Sequence, residues 1–378
     1  MKNVVVAGYC RSPFTPAQKG GLAKVRPDDL AAQVVKGLVS KTGVNPDDIE
    51  DLILGCAFPE GEQGLNVARL IVFLAGLPST IAGMTLNRFC GSSMQAIHIA
   101  AGAIQMNAGE VFICAGLESM SRIPMGGYNN MPNPALYETF PQAYISMGDT
   151  AENLARKYQI ARTEQEAFAL DSQKKAYAAQ QGGKFSDEII PITAKSGLID
   201  TDGCLRPEST AEGLAGLNPA FQASGTVTAG TSSPLTDGAA AVLVCSEDYA
   251  DAHKLPIMAR IKACAVSGCA PEIMGIGPVN ATHKALIRAG ITLDNLDIVE
   301  LNEAFSAQAL AVLKELPIPM AKLNLDGGAI ALGHPLGATG ARITGKAASL
   351  LQRENKRYAL ATQCIGGGQG IATILEAI

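Results

Sequence analysis

Short runs of apolar, mostly β-branched residues alternate with longer alanine-rich runs along most of the chain. Residues 4–8 are typical of a buried strand, and residues 95–106 are typical of a helix. Strands that alternate with helices in this way favour an α/β fold. The 378 residues exceed what one hydrophobic core usually holds, so we expect more than one packed unit.

The second half of the chain repeats part of the pattern of the first half. Residues 43–53 end a predicted helix and enter a predicted strand, and residues 290–299 do the same. At that same spacing Asn87 aligns with His334, and each stands at the start of a predicted helix. The repeat therefore predicts two similar α/β halves.

A second pair of matching segments locates an insertion in the first half. Residues 238–243 resemble residues 370–375, but at a much shorter spacing than the first pair of segments. Extra residues must therefore lie in the first half, between the predicted helix near residue 100 and the last predicted strand of that half. We predict an N-terminal half at residues 1–117 and 237–255, an inserted loop domain at 118–236, and a C-terminal half at 256–378.

The predicted insertion differs in composition from the two halves. Residues 120–147 are rich in Met, Pro, Asn and Tyr, and residues 149–181 are predicted to be helical with Thr163 as an N-cap. Long excursions of this kind in compact proteins commonly contribute a lid or a ligand-binding surface. We expect the insertion to bind part of a substrate.

Composition and charge exclude several classes of protein. Apolar residues make up 47% and charged residues 17%, and the formal charge of −5 provides no basic surface for nucleic acid or an anionic membrane. The start of the chain lacks the pattern of a signal peptide, and its apolar runs are too short to span a bilayer. The nine cysteines contain no C-x-x-C pair and the chain has only four histidines, so we expect no metal site. Cysteines without a pairing pattern indicate a reducing compartment, the cytoplasm.

Cys90 lies in a tight turn that leads into a predicted helix, in the sequence N-R-F-C-G-S-S-M at residues 87–94. A thiol at a helix N-terminus lies near unpaired N–H groups and the positive end of the helix dipole, which favour the thiolate. Because the thiolate attacks carbonyl carbon, Cys90 is a candidate nucleophile. The simpler alternative is a small, buried, unreactive side chain.

His334 is the candidate base among the four histidines. It lies in the glycine-rich segment 327–340, where glycine permits tight turns and close approach of the backbone to a ligand. By contrast, we predict that His98 packs within its helix and that His253 and His283 lie at the surface.

Two further candidates follow predicted strands near the C-terminus. Cys364 opens a triple-glycine loop whose N–H groups suit an oxyanion, and a strand-like run at residues 371–375 excludes a dinucleotide loop. Asn302 and Glu303 end another predicted strand. Taken alone, they could hold a water or orient a base, although capping of the next helix is the simpler interpretation.

These segments together resemble the thiolase family. The turn around Cys90, the N-E-A-F block at 302–305, the histidine segment 327–342 and the loop 364–370 match the family's four catalytic blocks in the same order. The resemblance implies a five-layered αβαβα core built from two similar halves, with a loop domain inserted in the first half.

The resemblance also implies a reaction, namely reversible CoA-dependent thiolytic cleavage of a 3-ketoacyl-CoA, or Claisen condensation of two acetyl-CoA. Cys90 would hold the acyl group, and His334 would activate either Cys90 or the CoA thiol. Cys364 would move the proton at the α-carbon of the acetyl unit. Asn302, through a water, and His334 would form one oxyanion hole, and the N–H groups of Cys90 and Gly366 would form the other.

Ser233 and Met274 match family positions that line the channel for the pantetheine of CoA. CoA is thus implied as a substrate, with no permanently bound cofactor, and the implied assembly is a homodimer or homotetramer. Residues 146–148 are S-M-G, where many acetoacetyl-CoA thiolases have a histidine before M-G. The T-A-G-T-S-S form of residues 228–233 and the segment of Met274 resemble the β-oxidation branch of fatty acid metabolism.

Two alternatives stay open from the sequence. A ketoacyl synthase-like condensing enzyme would use a Cys-His-His or Cys-His-Asn set, whereas Cys364 occupies the third position here. A non-catalytic CoA- or lipid-binding relative typically lacks a catalytic residue, whereas this chain keeps all four.

Overall fold

The computed structural model describes residues 2–378, in which strands and helices alternate as predicted. Within these residues no helix combines the length and the apolarity needed to cross a lipid bilayer. The strands are β1 (Val4–Arg11), β2 (Thr15–Pro16), β3 (Asp51–Gly55), β4 (Ala82–Leu86), β5 (Val111–Ser119), β6 (Ile192–Ala194), β7 (Gly197–Ile199), β8 (Thr236–Ser246), β9 (Ala259–Gly268), β10 (Ile298–Leu301), β11 (Tyr358–Ile365) and β12 (Gln369–Glu376). The α-helices are α1 (Pro27–Thr42), α2 (Val67–Leu74), α3 (Ser92–Gln105), α4 (Pro134–Thr139), α5 (Met147–Lys157), α6 (Arg162–Gln181), α7 (Ala211–Ala215), α8 (Glu247–His253), α9 (Gly277–Ala289), α10 (Ser306–Glu315), α11 (Ala329–Leu332) and α12 (Leu336–Arg353).

The two halves share one strand order. In the first half the order is β4-β3-β5-β8-β1, and in the second half it is β10-β11-β12-β9. At the position that β4 has in the first half, the second half has a single β-bridge from Leu323 to Val299 of β10. Strand β3 is parallel to both neighbours, as β10 is to β11, and the remaining pairs in each half are antiparallel. Strands β1 and β9 join the halves through only two residue pairs.

Local geometry confirms the predicted repeat. Gly43 ends α1 and Gly290 ends α9, with φ of 69° and 67°. Glycine adopts this left-handed conformation without steric cost, which is why it terminates both helices. The aligned residues Asn87 and His334 precede α3 and α12, the two helices between the sheets.

Alternation of side chains along the strands separates the core into layers, because successive side chains point to opposite faces of a sheet. In β3, Leu52 and Leu54 pack with α1 and α2, whereas Ile53 packs with α3 and α12. In β10, Ile298 faces α3 and α12, and Val299 faces α9 and α10. There are therefore five layers. The first is α1 with α2, the second is the sheet of the first half, the third is α3 with α12, the fourth is the sheet of the second half, and the fifth is α9 with α10. The predicted five-layered αβαβα core is confirmed.

The segment between β5 and β8, residues 120–235, contains α4 to α7 and the β6–β7 hairpin. The helical stretch predicted at residues 149–181 is two helices, α5 and α6. Helix α6 begins after Ala161, whose N–H donates to the Glu164 carboxylate at 2.6 Å. The predicted N-cap at Thr163 is therefore wrong, because this residue lies inside the helix. The boundaries of the inserted domain stay a prediction.

Helices α3 and α12 pack at close range because small residues line their contact. A Cβ atom added at Gly340 would lie 2.3 Å from the backbone nitrogen of Met94. The hydroxyl of Ser93 accepts a hydrogen bond from the N–H of Ala341 at 2.8 Å. The two helix N-termini are thereby brought to the same place in the molecule.

Replacing Gly340 with alanine should destabilise the protein by about 1–3 kcal/mol, because the added methyl group meets the Met94 backbone and forces repacking. The melting temperature measures this effect. Gly102→Ala on α3 is the matched control, since its Cβ would meet nothing within 4 Å. Alanine is the better helix former by about 1 kcal/mol, so the control should melt no lower than wild type. Equal melting temperatures of the two variants would contradict the close contact.

Candidate active site

A cavity of about 230 Å³ lies where the two halves and the inserted segment meet. Three reactive side chains line it: Cys90 before α3, His334 before α12, and Cys364 in β11. The predicted binding residues Ser233 and Met274 line it as well. Much of the remaining wall is apolar and consists of Met120, Met125, Met147, Phe221, Leu235, Phe305 and Leu336.

Cys90 lies in a tight turn directly before α3, which begins at Ser92, earlier than predicted. Phe89 has a φ of 43°, a left-handed conformation that is costly for a residue other than glycine. Its N–H donates to Oδ1 of Asn87 at 2.7 Å, and the Arg88 N–H donates to the Ser92 hydroxyl at 2.8 Å. These side chains hold the turn in its strained conformation.

Burial decides the ionisation of the Cys90 thiol. It raises the pKa of Cys90 to about 11, while the N–H groups of Gly366 and of Cys90 itself lower this pKa. The N–H groups thus favour the thiolate, as expected, but burial outweighs them and the net result is a raised pKa. Near neutral pH Cys90 is a protonated thiol, and its attack on a carbonyl requires a base.

The two ring nitrogens of His334 have different partners. The Thr339 hydroxyl donates to the Pro335 carbonyl at 3.1 Å, so its oxygen accepts from Nδ1–H of His334 at 2.6 Å. Nε2 is then the unprotonated nitrogen, and the amide nitrogen of Asn302 lies 3.4 Å from it. Burial, with a smaller contribution from the charge of Arg342, lowers the pKa of His334 to about 3. The imidazole is therefore neutral and able to accept a proton at Nε2.

Glycine and threonine position the backbone of His334. Gly333 has a φ of 104°, and a Cβ there would lie 2.7 Å from the Thr236 side chain, so only glycine fits. The hydroxyl of Thr236 accepts from the His334 N–H at 3.0 Å. Since Thr236 begins β8, a strand of the first half holds the histidine of the second half.

Cys364 and Gly366 lie at the turn between β11 and β12. Gly367 and Gly368 form this turn with φ of 79° and 84°, and β12 follows it as a strand, as predicted. Burial raises the pKa of Cys364 well above its ordinary value, and nearby Cys90 raises it further. The two thiols therefore lie close together in the cavity wall.

Asn302 reaches the site through His334 and is itself buried behind the cavity wall. Its Oδ1 has no hydrogen-bond partner within residues 2–378, so this acceptor is available to a small polar group. Capping of the next helix was the wrong interpretation, because α10 begins after Phe305 without a side-chain cap. The neighbouring Glu303 instead accepts from Ser172 at 2.6 Å and from Asn324 at 2.7 Å.

Ser233 makes polar contacts in the cavity wall, and Met274 makes apolar ones. The hydroxyl and the N–H of Ser233 both donate to the Ala304 carbonyl at 3.0 Å, which fixes the loop before β8. Met274 is buried among apolar neighbours that include Cys364.

The other histidines lie where the sequence predicted. His98 is packed in α3 with its Nε2 2.8 Å from the Thr373 hydroxyl, and His253 and His283 are exposed. None of the three lines the cavity.

Sequence reasoning missed Glu118, a buried carboxylate in β5 that is hydrogen-bonded to backbone near both Cys90 and His334. A charged residue inside the otherwise apolar run 111–119 was the available signal. Buried carboxylates are costly unless they are fully hydrogen-bonded, so such a residue indicates a polar cluster at that point.

Comparison with known proteins agrees with this geometry. The family model described as "Thiolase, N-terminal domain" matches residues 4–248, and the model described as "Thiolase, C-terminal domain" matches residues 255–377. The chain therefore belongs to the thiolase family, a family of acyltransferase enzymes.

Full-length relatives have more specific names. The chain is 46% identical to a 3-ketoacyl-CoA thiolase of Bacillus subtilis and 48% identical to one of Pseudoalteromonas translucida, with 100% of each chain covered. It is also similar to the crystal structure of human mitochondrial 3-ketoacyl-CoA thiolase in complex with CoA. That similarity has a TM-score of 0.92 and 40% identity, and it covers 100% of this chain and 98% of the human one.

The protonated state of Cys90 predicts how its reactivity depends on pH. Because the pKa is raised to about 11, alkylation by iodoacetamide should increase about ten-fold per pH unit from pH 7 to about pH 10. Mass spectrometry of the peptide that contains Cys90 measures the rate. In urea the same thiol should instead level off above about pH 10, because its ordinary pKa is 9.0. A plateau below pH 8 in the folded protein would refute the assignment.

Proposed function

We propose that this protein catalyses reversible CoA-dependent thiolysis of 3-ketoacyl-CoA to acetyl-CoA and a shortened acyl-CoA, through an acyl group on Cys90. The reverse direction is Claisen condensation of two acetyl-CoA to acetoacetyl-CoA. The observation that supports this most strongly is the convergence of two thiols and one neutral imidazole, from both halves, on one largely apolar cavity. The names of the full-length relatives point to the same reaction.

His334 acts first as the base. Its Nε2 takes the proton of the Cys90 thiol and, after carbon–carbon cleavage, passes it to the Cys364 thiolate. In the second half-reaction the neutral imidazole takes the proton of the incoming CoA thiol and returns it to Cys90 as the acyl group leaves. The hydrogen bond from Nδ1 to Thr339 holds the ring in the tautomer that leaves Nε2 free. Covalent capture on Cys90 divides one difficult acyl transfer into two easier steps.

Stabilisation of negative charge on oxygen is the second requirement, because a C–C bond beside a carbonyl breaks only if the departing enolate is stabilised. The N–H groups of Cys90 and Gly366 donate to the oxyanion of the acyl intermediate. Once Nε2 of His334 carries the proton taken from Cys90, it donates to the enolate oxygen together with a water held by Asn302. Fixed donors in a site that excludes water are effective because they need no reorganisation during the reaction.

Cys364 transfers the proton at the α-carbon of the acetyl unit. In thiolysis it protonates the departing enolate, and in condensation it removes the proton. Its high pKa suits the donor role, because the thiol is protonated before carbon–carbon cleavage.

Ser233 and Met274 contact the pantetheine arm of CoA along the cavity wall, and CoA is a substrate rather than a resident cofactor. The human relative was crystallised with CoA, which supports this class of ligand. The largely apolar remainder of the cavity supports acyl chains longer than acetyl and hence a role in β-oxidation of fatty acids. Nine free cysteines in residues 2–378 support a reducing compartment, the cytoplasm.

The protein assembles as a homodimer or as a homotetramer of such dimers. Strand β4 lies at the edge of its sheet, and an exposed edge strand is a template for pairing with another chain. Helix α2 beside it exposes Phe73, Leu74 and Leu70, and β4 itself exposes Met84. A contiguous apolar face of this kind is typical of a protein–protein interface.

Turnover tests the proposed reaction directly. Purified protein with acetoacetyl-CoA and CoA should yield acetyl-CoA, and mass spectrometry after rapid acid quenching should find an acyl group on Cys90. Cys90→Ala should abolish both signals, whereas Cys264→Ala, a half-buried cysteine outside the cavity, should keep them. Failure to cleave both acetoacetyl-CoA and longer 3-ketoacyl-CoAs would disprove the proposal.

Light scattering coupled to size exclusion tests the assembly. We expect wild type to have at least twice the mass of one chain, and Phe73→Asp to shift the mass toward the monomer because it places a charge on the apolar face. Ile287→Asp is the matched control, since Ile287 is 79% exposed on α9, away from this face. A monomeric wild type at micromolar concentration would contradict the assembly.

A further inference from the structure

We propose that Glu118 is a positioning residue whose buried carboxylate fixes the distance between the Cys90 thiol and the His334 imidazole across the two halves. The inference rests on the proposed function and adds to it a group outside the cavity. Glu118 forms no hydrogen bond with either reacting side chain, so its effect is transmitted through the segments that it anchors.

The carboxylate binds four neutral N–H donors. Glu118 is 1% exposed, and its Oε2 accepts from the N–H of Ala57 at 2.8 Å and from that of Gly337 at 3.0 Å. Its Oε1 accepts from the Gln63 amide at 2.8 Å and from the Phe58 N–H at 3.4 Å. Burial raises the pKa of Glu118, whereas these hydrogen bonds favour the ionised form because a carboxylate without a proton is acceptor-only.

The path toward the nucleophile has two further hydrogen bonds. The carbonyl of Ala57 accepts from Nδ2 of Asn87 at 2.9 Å, and Oδ1 of Asn87 accepts from the Phe89 N–H at 2.7 Å. Phe89 has the strained, left-handed φ and directly precedes Cys90. The carboxylate therefore anchors the segment that holds this turn.

The path toward the base runs through the first turn of α12. Gly337 is in that turn, where the N–H has no partner within the helix and a carboxylate is favoured by the helix dipole. The same turn contains Thr339, which orients His334. A Cβ at Gly116 in β5 would lie 2.1 Å from the Gly337 carbonyl, so strand and helix are in direct contact.

Oε2 of Glu118 thus accepts hydrogen bonds from both halves, since Ala57 belongs to the first and Gly337 to the second.

The charge of Glu118 does not itself activate the Cys90 thiol. Burial is the main cause of the raised pKa of Cys90, and the negative charge of Glu118 raises that pKa further. A negative charge near Cys90 opposes thiolate formation, so Glu118 does not activate the thiol electrostatically. Its hydrogen bonds support a geometric role instead.

Glu118→Gln tests the role because it keeps the shape of the side chain. Whichever way the new amide turns, its NH₂ faces N–H donors, either those of Ala57 and Gly337 or that of Gln63. We expect kcat for thiolysis to fall about 10–100-fold, the effect of displacing reacting groups by about 1 Å. The KM for CoA should stay within about two-fold, because Glu118 does not line the cavity. Alkylation of Cys90 at pH 10, which needs no base, should also stay within about three-fold of wild type.

Glu152→Gln is the matched control. Its carboxylate, also 1% exposed, accepts from the N–H groups of Thr226 at 3.0 Å and Val227 at 2.9 Å, and it contacts neither the Cys90 turn nor α12. This variant should lower the melting temperature and leave kcat within about two-fold, since it removes a comparable buried acceptor. A loss of kcat equal to that of Glu118→Gln would overturn the positioning role.

Asn87→Ala decides the question if Glu118→Gln does not fold. Asn87 is exposed, so its loss should leave the melting temperature unchanged while kcat falls about ten-fold through the Cys90 turn. Wild-type kcat in Asn87→Ala, or in a folded Glu118→Gln, overturns the positioning role alone. An inactive wild-type protein overturns the proposed function and this inference with it.

Discussion

The close contact between α3 and α12 is the constraint on which the site depends. Both helices lie between the two sheets, and glycine at residue 340 lets their backbones approach until a single methyl group would not fit. Cys90 and His334 lie just before these two helices. Their proximity is therefore a consequence of core packing, which tolerates little change in volume.

Burial outweighs the helix terminus in setting the charge of the Cys90 thiol. The rise of the Cys90 pKa from 9.0 to about 11 corresponds to about 3 kcal/mol. A helix terminus supplies roughly 0.3–1 kcal/mol in favour of an anion. The same burial keeps His334 neutral, so the resting site contains a thiol and an imidazole rather than an ion pair. The apolar cavity thus keeps the base free to accept a proton.

The sequence was sufficient to predict features that local chemistry determines. Gly43 and Gly290 stand where a helix must end in a left-handed turn, and this made the repeat visible without coordinates. Glycine-rich loops likewise identified His334 and Cys364, because few other structures require such a pattern.

Features that depend on distant residues could not be predicted. Glu118 becomes meaningful only when the fold brings Ala57 and Gly337 to one carboxylate oxygen. The local context of Asn302 suggested a helix cap, and only the family resemblance pointed to a place beside His334, where its amide lies. Whether the pKa of Cys90 is raised or lowered depends on burial, which a single stretch of sequence does not reveal.

The equivalence of Asn87 and His334 shows how the two halves differ where they meet the cavity. If the two turns had the same sequence, each would present the same side chains to the cavity. Here the turn before α3 presents a thiol and the turn before α12 presents an imidazole. The combination of different side chains in one cavity therefore depends on sequence differences between two halves that share one strand order.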